Sequence, residues 1–410
     1  MKYTIFATLL IVSMVYSSFA TQTTSETKLN APDAFFNQQF GRSVAIDGDT
    51  AVIGAPTTPI GADGVGSAYV YVRTASGWQF QQKLTAPGVT IETLFGLSVD
   101  VDGNTIVVGA PGDNNAGPSS GAAYVYERSN NVWSIKQKLT GSENSTSDVF
   151  GISVGIDGNT IVCGALGNTS SADPQVGTTY VFNLTGNQWV ETQKLNASDP
   201  SPQNGFGVTV AIDGNTIIVG ATGHANFSGA VYVFSFNGSS WVQQDLLTAN
   251  NPAPKVVFGY KLGLSGDTIV VASQGFAGNG RDLVFSTAYI FRRTPSGWHQ
   301  QKKVTTDDVE VMGVNEIMGR FDLNIAVSGD TVVVGSQNDP TLAYFSGSVY
   351  VYRRNGESNW NLDQQIFPSD AARDDLFGSA LAIDGSTLVV GSWEKSLTAP
   401  FSGAAYIYEL

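Results

Sequence analysis

FGRSVAIDGDT (residues 40–50) and FGLSVDVDGNT (95–105) are one phrase written twice. Each opens on Phe-Gly, alternates apolar and small residues, and closes on Asp-Gly-Asp or Asp-Gly-Asn before Thr. The alternation reads as a short strand, and Asp-Gly as a tight turn, because both residues tolerate positive φ. The phrase starts again at Phe150, Phe206, Phe258, Phe321 and Phe377, at intervals of 52–63 residues. The copies at 258–268 (FGYKLGLSGDT) and 321–331 (FDLNIAVSGDT) are degraded.

Three more strand signals follow each copy. A β-branched segment ends in small residues: TAVIGA, TIVVGA, TIVCGA, TIIVGA, TIVVAS, TVVVGS and TLVVGS. Next comes an aromatic pair two residues apart, from Tyr69/Tyr71 to Tyr406/Tyr408. A last segment opens on Trp78, Trp133, Trp189, Trp241, Trp298 or Trp360 and closes on a QKL-like end. Period-two patterning rich in β-branched and aromatic residues means strand. Four antiparallel strands repeated seven times make an all-β, seven-bladed propeller, with one domain over residues 21–410. The seventh unit ends at Leu410, after its third strand. Residues 26–32 (ETKLNAP) match the close of the fourth strands, such as QKLTAP (82–87), so the N-terminal segment is expected to complete the last blade and hide its edge.

The composition sets limits on function. The 410 residues carry 35 acidic and 21 basic side chains, a formal charge of −14 that argues against nucleic acid or an anionic membrane as main partner. A single Cys cannot build a disulfide framework or a Cys-based metal site. Residues 1–20 have the three parts of a secretory signal: Met1-Lys2-Tyr3, an apolar run over 4–16, and Ser18-Phe19-Ala20 before the cleavage point. No later stretch is long and apolar enough to span a bilayer. Asn144, Asn168, Asn183, Asn196, Asn226 and Asn237 head Asn-X-Ser/Thr sequons, the acceptor pattern of an exported glycoprotein.

At Phe40-Gly41 with Gly54-Ala55-Pro56, and Phe95-Gly96 with Gly109-Ala110-Pro111, the units resemble FG-GAP repeats, the blades of the propeller at the head of integrin α subunits. The resemblance covers 24–410 and implies extracellular protein or ligand binding without catalysis. Integrin-type repeats often place a calcium cage between the first two strands. Here that connection is only Asp47-Gly48-Asp49 or its equivalents at Asp102, Asp157, Asp213 and Asp384. Such a turn is too short to wrap an ion, so no metal and no cofactor is expected, and the Asp residues read as local turn formers.

Isolated residues give little chemistry. His224 and His299 have no spaced partner, and Cys163 reads as a small core residue. The periodic Trp residues read as packing between blades; exposed, they would instead form sugar-stacking pockets. Trp393 is the one Trp off the repeat position. Asp100 stands where the other units hold Ala45, Gly155, Ala211, Gly263, Ala326 and Ala382, so it should face the channel or a blade interface.

The loops between strands two and three, and between blades, are long and variable and share one face. That face looks acidic, with Glu92, Asp148, Asp173, Asp199, Asp370, Asp374 and Asp375. The candidate ligand surface joins the 305–320 loop, through Asp307, Asp308, Glu310, Met312, Glu316 and Met318, to Trp393 and to Tyr344 and Phe345 of the 338–345 loop. The resulting expectation is a secreted, monomeric adhesion or binding module, free or held at a cell surface by a partner, whose ligand is an extracellular protein or glycan. A lectin-like propeller and a hydrolase or lyase at the axial channel are the alternatives.

Overall fold

The computed structural model describes residues 25–57, 65–88, 92–167, 176–250, 256–276, 283–304, 323–397 and 399–410. The expected signal segment, the 305–320 loop with its six candidate residues, Asp173, Phe321 and Asn168 lie outside them. The described residues form seven four-stranded antiparallel sheets, six of them running in chain order from strand one to strand four. Blade one is Ser43–Asp47, Thr50–Ala55, Ser67–Thr74 and Gly77–Leu84. Blade seven is Ala380–Asp384, Thr387–Ser392 and Ala404–Glu409, and Glu26–Leu29 adds its fourth strand, with Glu26 opposite Tyr408 and Leu29 opposite Ala405. Among the described residues no helix is long and apolar enough to cross a membrane.

Second strands are almost wholly buried because both faces of every blade meet a neighbour; Thr50–Ala55 and Thr387–Ser392 are buried at every residue. The repeat Phe sits in the seam. Phe40 is fully buried and meets Tyr69 and Tyr71 edge-on, with centroids 5.4 and 6.2 Å apart. Phe95, Phe150, Phe206, Phe258 and Phe377 repeat this geometry, which suits the ring quadrupoles. The Gly of Phe-Gly explains itself: Gly96 has φ +92°, and its amide bonds the Gly109 carbonyl at 3.0 Å.

All six periodic Trp residues are buried, from 2% exposed at Trp133 to 9% at Trp78. Each of Arg73, Arg128, Arg293 and Arg354 lies over the Trp of its own blade, 4.8–5.7 Å from the ring centre. At the rim, Gln82 exchanges two hydrogen bonds with the Trp133 backbone, Gln137 with Trp189, and Gln193 with Trp241, at 2.7–2.9 Å. Each amide side chain thus copies a strand pairing between blades that share no sheet.

The turn acids correct the sequence reading. They do not cap their own turns. The Asp47 carboxylate accepts from the Gly103 amide of blade two, Asp102 from Gly158, Asp157 from Gly214 and Asp213 from Gly266. Ser265 and Ser328 continue the series to Gly329 and Gly385, and Asp384 accepts from Gly48 of blade one. Every blade is thereby tied to the next, and the seventh to the first.

The loop face and its candidate recognition surface

Asp100 belongs to a seam, between blades two and three. Its carboxylate accepts from the Ile156 amide of the next blade at 2.8 Å and from Val101 at 3.0 Å. The residue is half-buried as a whole, with its charged end turned into the seam. Burial, the largest influence, pushes its carboxyl up to about 7 against the pull of those two amides, and Asp102 and Asp47 add to the push. An unfolded Asp titrates near 4. The folded state therefore holds the extra proton between those values, and Asp100 costs stability as pH rises through that window. Asp100→Asn removes the slope. The unfolding free energy of the variant relative to the parent should rise from about pH 5 to about pH 8 by on the order of 2 kcal/mol, read as a widening gap in melting temperature. A gap that stays constant, or a parent that gains at high pH, contradicts the seam assignment.

Most of the described acids of the loop face are committed internally. The first aromatic of strand three sends its hydroxyl to a loop carboxylate: Tyr69 to Asp33, Tyr124 to Asp113, Tyr232 to Asp199, Tyr350 to Asp339 and Tyr406 to Asp370, at 2.6–2.9 Å. A cation closes several of these pairs. Lys83 bonds Asp33 and lies over the Tyr69 ring, and Lys138 does the same for Asp113 and Tyr124. In blade seven, Lys28 and the buried Lys395 serve Asp370, and Lys395 also pairs with Asp375 at 2.5 Å. In blade four the cation is replaced by His224, whose ring nitrogen lies 2.9 Å from Asp199. The sequence offered His224 no partner because Asp199 precedes it across a strand-four to strand-one connection. Burial alone would raise the Asp199 and Asp370 carboxyls; hydrogen bonds, from Tyr232 and His224 and from Lys28 and Tyr406, hold both below the ordinary carboxylate range. Asp148 folds back on the Ser145 amide, and Asp374 pairs with Arg373.

Aromatic side chains remain exposed on this face. Phe-Ser-Gly occurs just before strand three in blades four, six and seven, at 227–229, 345–347 and 401–403. Phe227, Phe345 and Phe401 have φ of +63°, +54° and +55°, a left-handed backbone that bulky residues rarely adopt. Phe227 is 44% and Phe401 41% exposed. Phe36, 56% exposed, meets Phe401 edge-on across the seam of blades seven and one. Tyr344 is 43% exposed; it stacks on Phe345 at 4.1 Å and lies under Arg373 at 4.9 Å.

Five segments of the chain, 23–71, 78–126, 133–182, 189–234 and 360–408, match the FG-GAP repeat model. The chain belongs to the FG-GAP repeat family. A comparison with curated proteins gave no match. Each FG-GAP match ends on the second strand-three aromatic: Tyr71, Tyr126, Phe182, Phe234 or Tyr408. Four of them begin on the Trp that heads a fourth strand. The FG-GAP unit is thus one blade's outer strand joined to the next blade's first three. That phase explains why the first match, 23–71, contains the strand that closes blade seven. The two degraded copies lie outside the matches, yet their described strands form the same sheets.

The remaining candidates on this FG-GAP scaffold divide. Trp393 is half-buried, with Arg42 over its ring at 5.1 Å and an enclosed Nε1 that has no acceptor among the described residues. It is no open platform. Of the sequon residues, Asn196, Asn226 and Asn237 are exposed, whereas the amides of Asn144 and Asn183 donate inward, to Gly121 and to Thr160 and Asn159. Cys163 is fully buried, and burial pushes its thiol far up, as befits a core residue. Phe36, Phe227 and Phe401 were missed in the sequence; for Phe227 and Phe401 the recurring Phe-Ser-Gly was the available signal.

Proposed function

We propose that this FG-GAP propeller is a secreted, non-catalytic recognition module that engages an extracellular protein through the loop face of blades six, seven and one. The supporting observation is the set of exposed aromatic residues, Phe36, Tyr344 and Phe401, held on a rigid ring, Phe401 and the Phe345 beneath Tyr344 on left-handed backbone. Such conformations cost roughly 1–2 kcal/mol each and persist where the surrounding fold imposes them. Blade two fills the equivalent place with Ser119, so an aromatic is not required for the turn. Rigid exposed aromatics make large contact area at low entropic cost, the usual anchors of a protein interface.

The burial of the six periodic Trp residues takes away the repeated sugar-stacking pockets that a lectin-like propeller would present. Among the described residues the mouth of the axial channel is lined by no carboxylate, His or Cys, and the hydroxyls of Ser43, Ser98, Ser153 and Thr209 there donate to glycine carbonyls of the next blade, which favours a binding module over a hydrolase. The turn carboxylates already serve neighbouring amides, so partner binding is expected to be calcium-independent. Immobilised protein should capture a partner from the extracellular fraction of its source with and without a calcium chelator. Capture that chelation abolishes counts against this reading.

A further inference from the structure

A glycine after Asp or Asn leaves the backbone nitrogen unshielded, so that nitrogen can attack the preceding side-chain Cγ. The described residues hold five Asp-Gly steps, beginning at Asp47, Asp102, Asp157, Asp213 and Asp384, and three Asn-Gly steps, at Asn204, Asn237 and Asn355. The bonds between blades shut the first group down. The amides of Gly48, Gly103, Gly158 and Gly214 are each given to a carboxylate of the preceding blade at 2.5–2.8 Å, and that of Gly385 to the Ser328 hydroxyl at 3.0 Å. The two reacting groups of each such turn are thereby held by different neighbours. Asn204 is fully buried, away from the water that the reaction consumes. Asn237 and Gly238 are both exposed, in the turn between the third and fourth strands of blade four, Ala230–Phe236 and Trp241–Leu247. The Gly238 amide has no acceptor among the described residues. The Asn237 Oδ1 accepts from the Ser239 and Ser240 amides, each at 3.0 Å, and from the Ser239 hydroxyl at 2.9 Å. These bonds fold the side-chain amide forward along the chain and aim three donors at its carbonyl oxygen. Asn355 and Gly356 are exposed too, but no donor among the described residues reaches the Asn355 Oδ1.

We infer that Asn237 is a self-modifying site, converted to aspartate and isoaspartate by its own turn. The Gly238 nitrogen forms a bond to Cγ and loses its proton to solvent. The negative charge that develops on Oδ1 meets the three donors, an arrangement that stabilises a tetrahedral intermediate. Collapse breaks the Cγ–Nδ2 bond, and the nitrogen takes a proton from solvent and leaves as ammonia. One water then opens the cyclic imide at either carbonyl, giving aspartate or isoaspartate. The balance is one water in and one ammonia out, with no change of oxidation state. The product gains one negative charge and, in the isoaspartate form, one methylene in the main chain. Asn237 also heads a sequon, and a sugar on Nδ2 encumbers the leaving group, so the two modifications compete for one atom. The turn lies on the face opposite the aromatic loops and the reaction needs no partner, so it stands independently of the recognition reading.

The full chain, made in a host that adds no N-glycans, is incubated folded at mildly alkaline pH and body temperature. Peptide mass spectrometry follows each site, and isoaspartyl methyltransferase labels the isoaspartate. Asn237 should convert at least about fivefold faster than Asn355, with Asn204 and the five Asp-Gly steps unchanged. In guanidinium chloride, where turn and ring are gone, the lead of Asn237 should vanish and Asn204 should begin to react. Equal rates at Asn237 and Asn355 in the folded chain, or an intact Asn237, overturn the inference. So does a lead that persists after unfolding, which traces it to the neighbouring residues rather than to the turn.

Discussion

A chain lacking Thr21–Pro32 should melt about 10 °C or more below the full ring, or fail to fold. The deletion strips blade seven of its outer strand. It removes the buried Leu29 and Ala31, which pack with Phe40, Val389 and Ile407 in the seam of blades seven and one. It also takes away the Glu26 acceptor of the Tyr408 hydroxyl, the Asn30 carbonyl that Tyr71 bonds, and Lys28 beside Asp370. Burial of the Leu alone contributes roughly 2–3 kcal/mol, and each lost hydrogen bond about 1 kcal/mol. Tyr408 is left with a buried hydroxyl whose partner has gone, a penalty beyond the lost bond. At roughly 2 °C per kcal/mol for a large domain, the sum reaches the stated shift. Supplying residues 21–32 as a separate peptide should restore part of it. An unchanged melting temperature would remove the closing strand from the fold.

The second large effect separates two kinds of glycine. Gly109 and the Phe-Gly glycine of the next blade, Gly151, meet across the seam so closely that a Cβ on Gly109 overlaps the Gly151 carbonyl oxygen and the Ser98 hydroxyl. Both the obstructing carbonyl and the glycine lie in rigid backbone, so Gly109→Ala must open the seam. The expected cost is about 3 kcal/mol or more, at the upper end for overpacking. Gly103, in the turn of the same blade, has φ +53° and open space around a Cβ. Gly103→Ala should therefore cost only about 1 kcal/mol, the left-handed penalty. Chemical denaturation of the two variants side by side reads the difference. Equal midpoints would mean that the seam yields more easily than its packing indicates.

Much of the fold was legible because the repeat writes every local rule seven times. The strands followed from alternation, the turns from Asp-Gly, and the closure from the match of residues 26–32 to the other fourth-strand ends. The partners of the turn acids were not legible. Asp47 and Asp102 occupy the same phase of consecutive units, so a bond within a turn and a bond to the neighbouring turn leave the same periodic trace. Charge misled for a related reason. Asp199 and Asp370 look free in the sequence because their partners, Tyr232, His224, Tyr406 and Lys28, arrive only when blades meet. Tyr344 and Phe345 were found as loop aromatics beside a long variable segment. Phe36 stands outside the repeat phrase, and only the seam that brings it to Phe401 gives it a role.

The most direct test of the loop face as a recognition surface is one binding comparison. Fluorescently labelled protein is titrated onto the cells and matrix of its source, beside Phe36→Ser/Tyr344→Ser/Phe401→Ser, each side chain being 41–56% exposed. The variant should keep its melting temperature and lose at least tenfold in affinity, since central aromatic anchors are each worth on the order of 2 kcal/mol. Full binding by a folded triple variant would contradict the proposal.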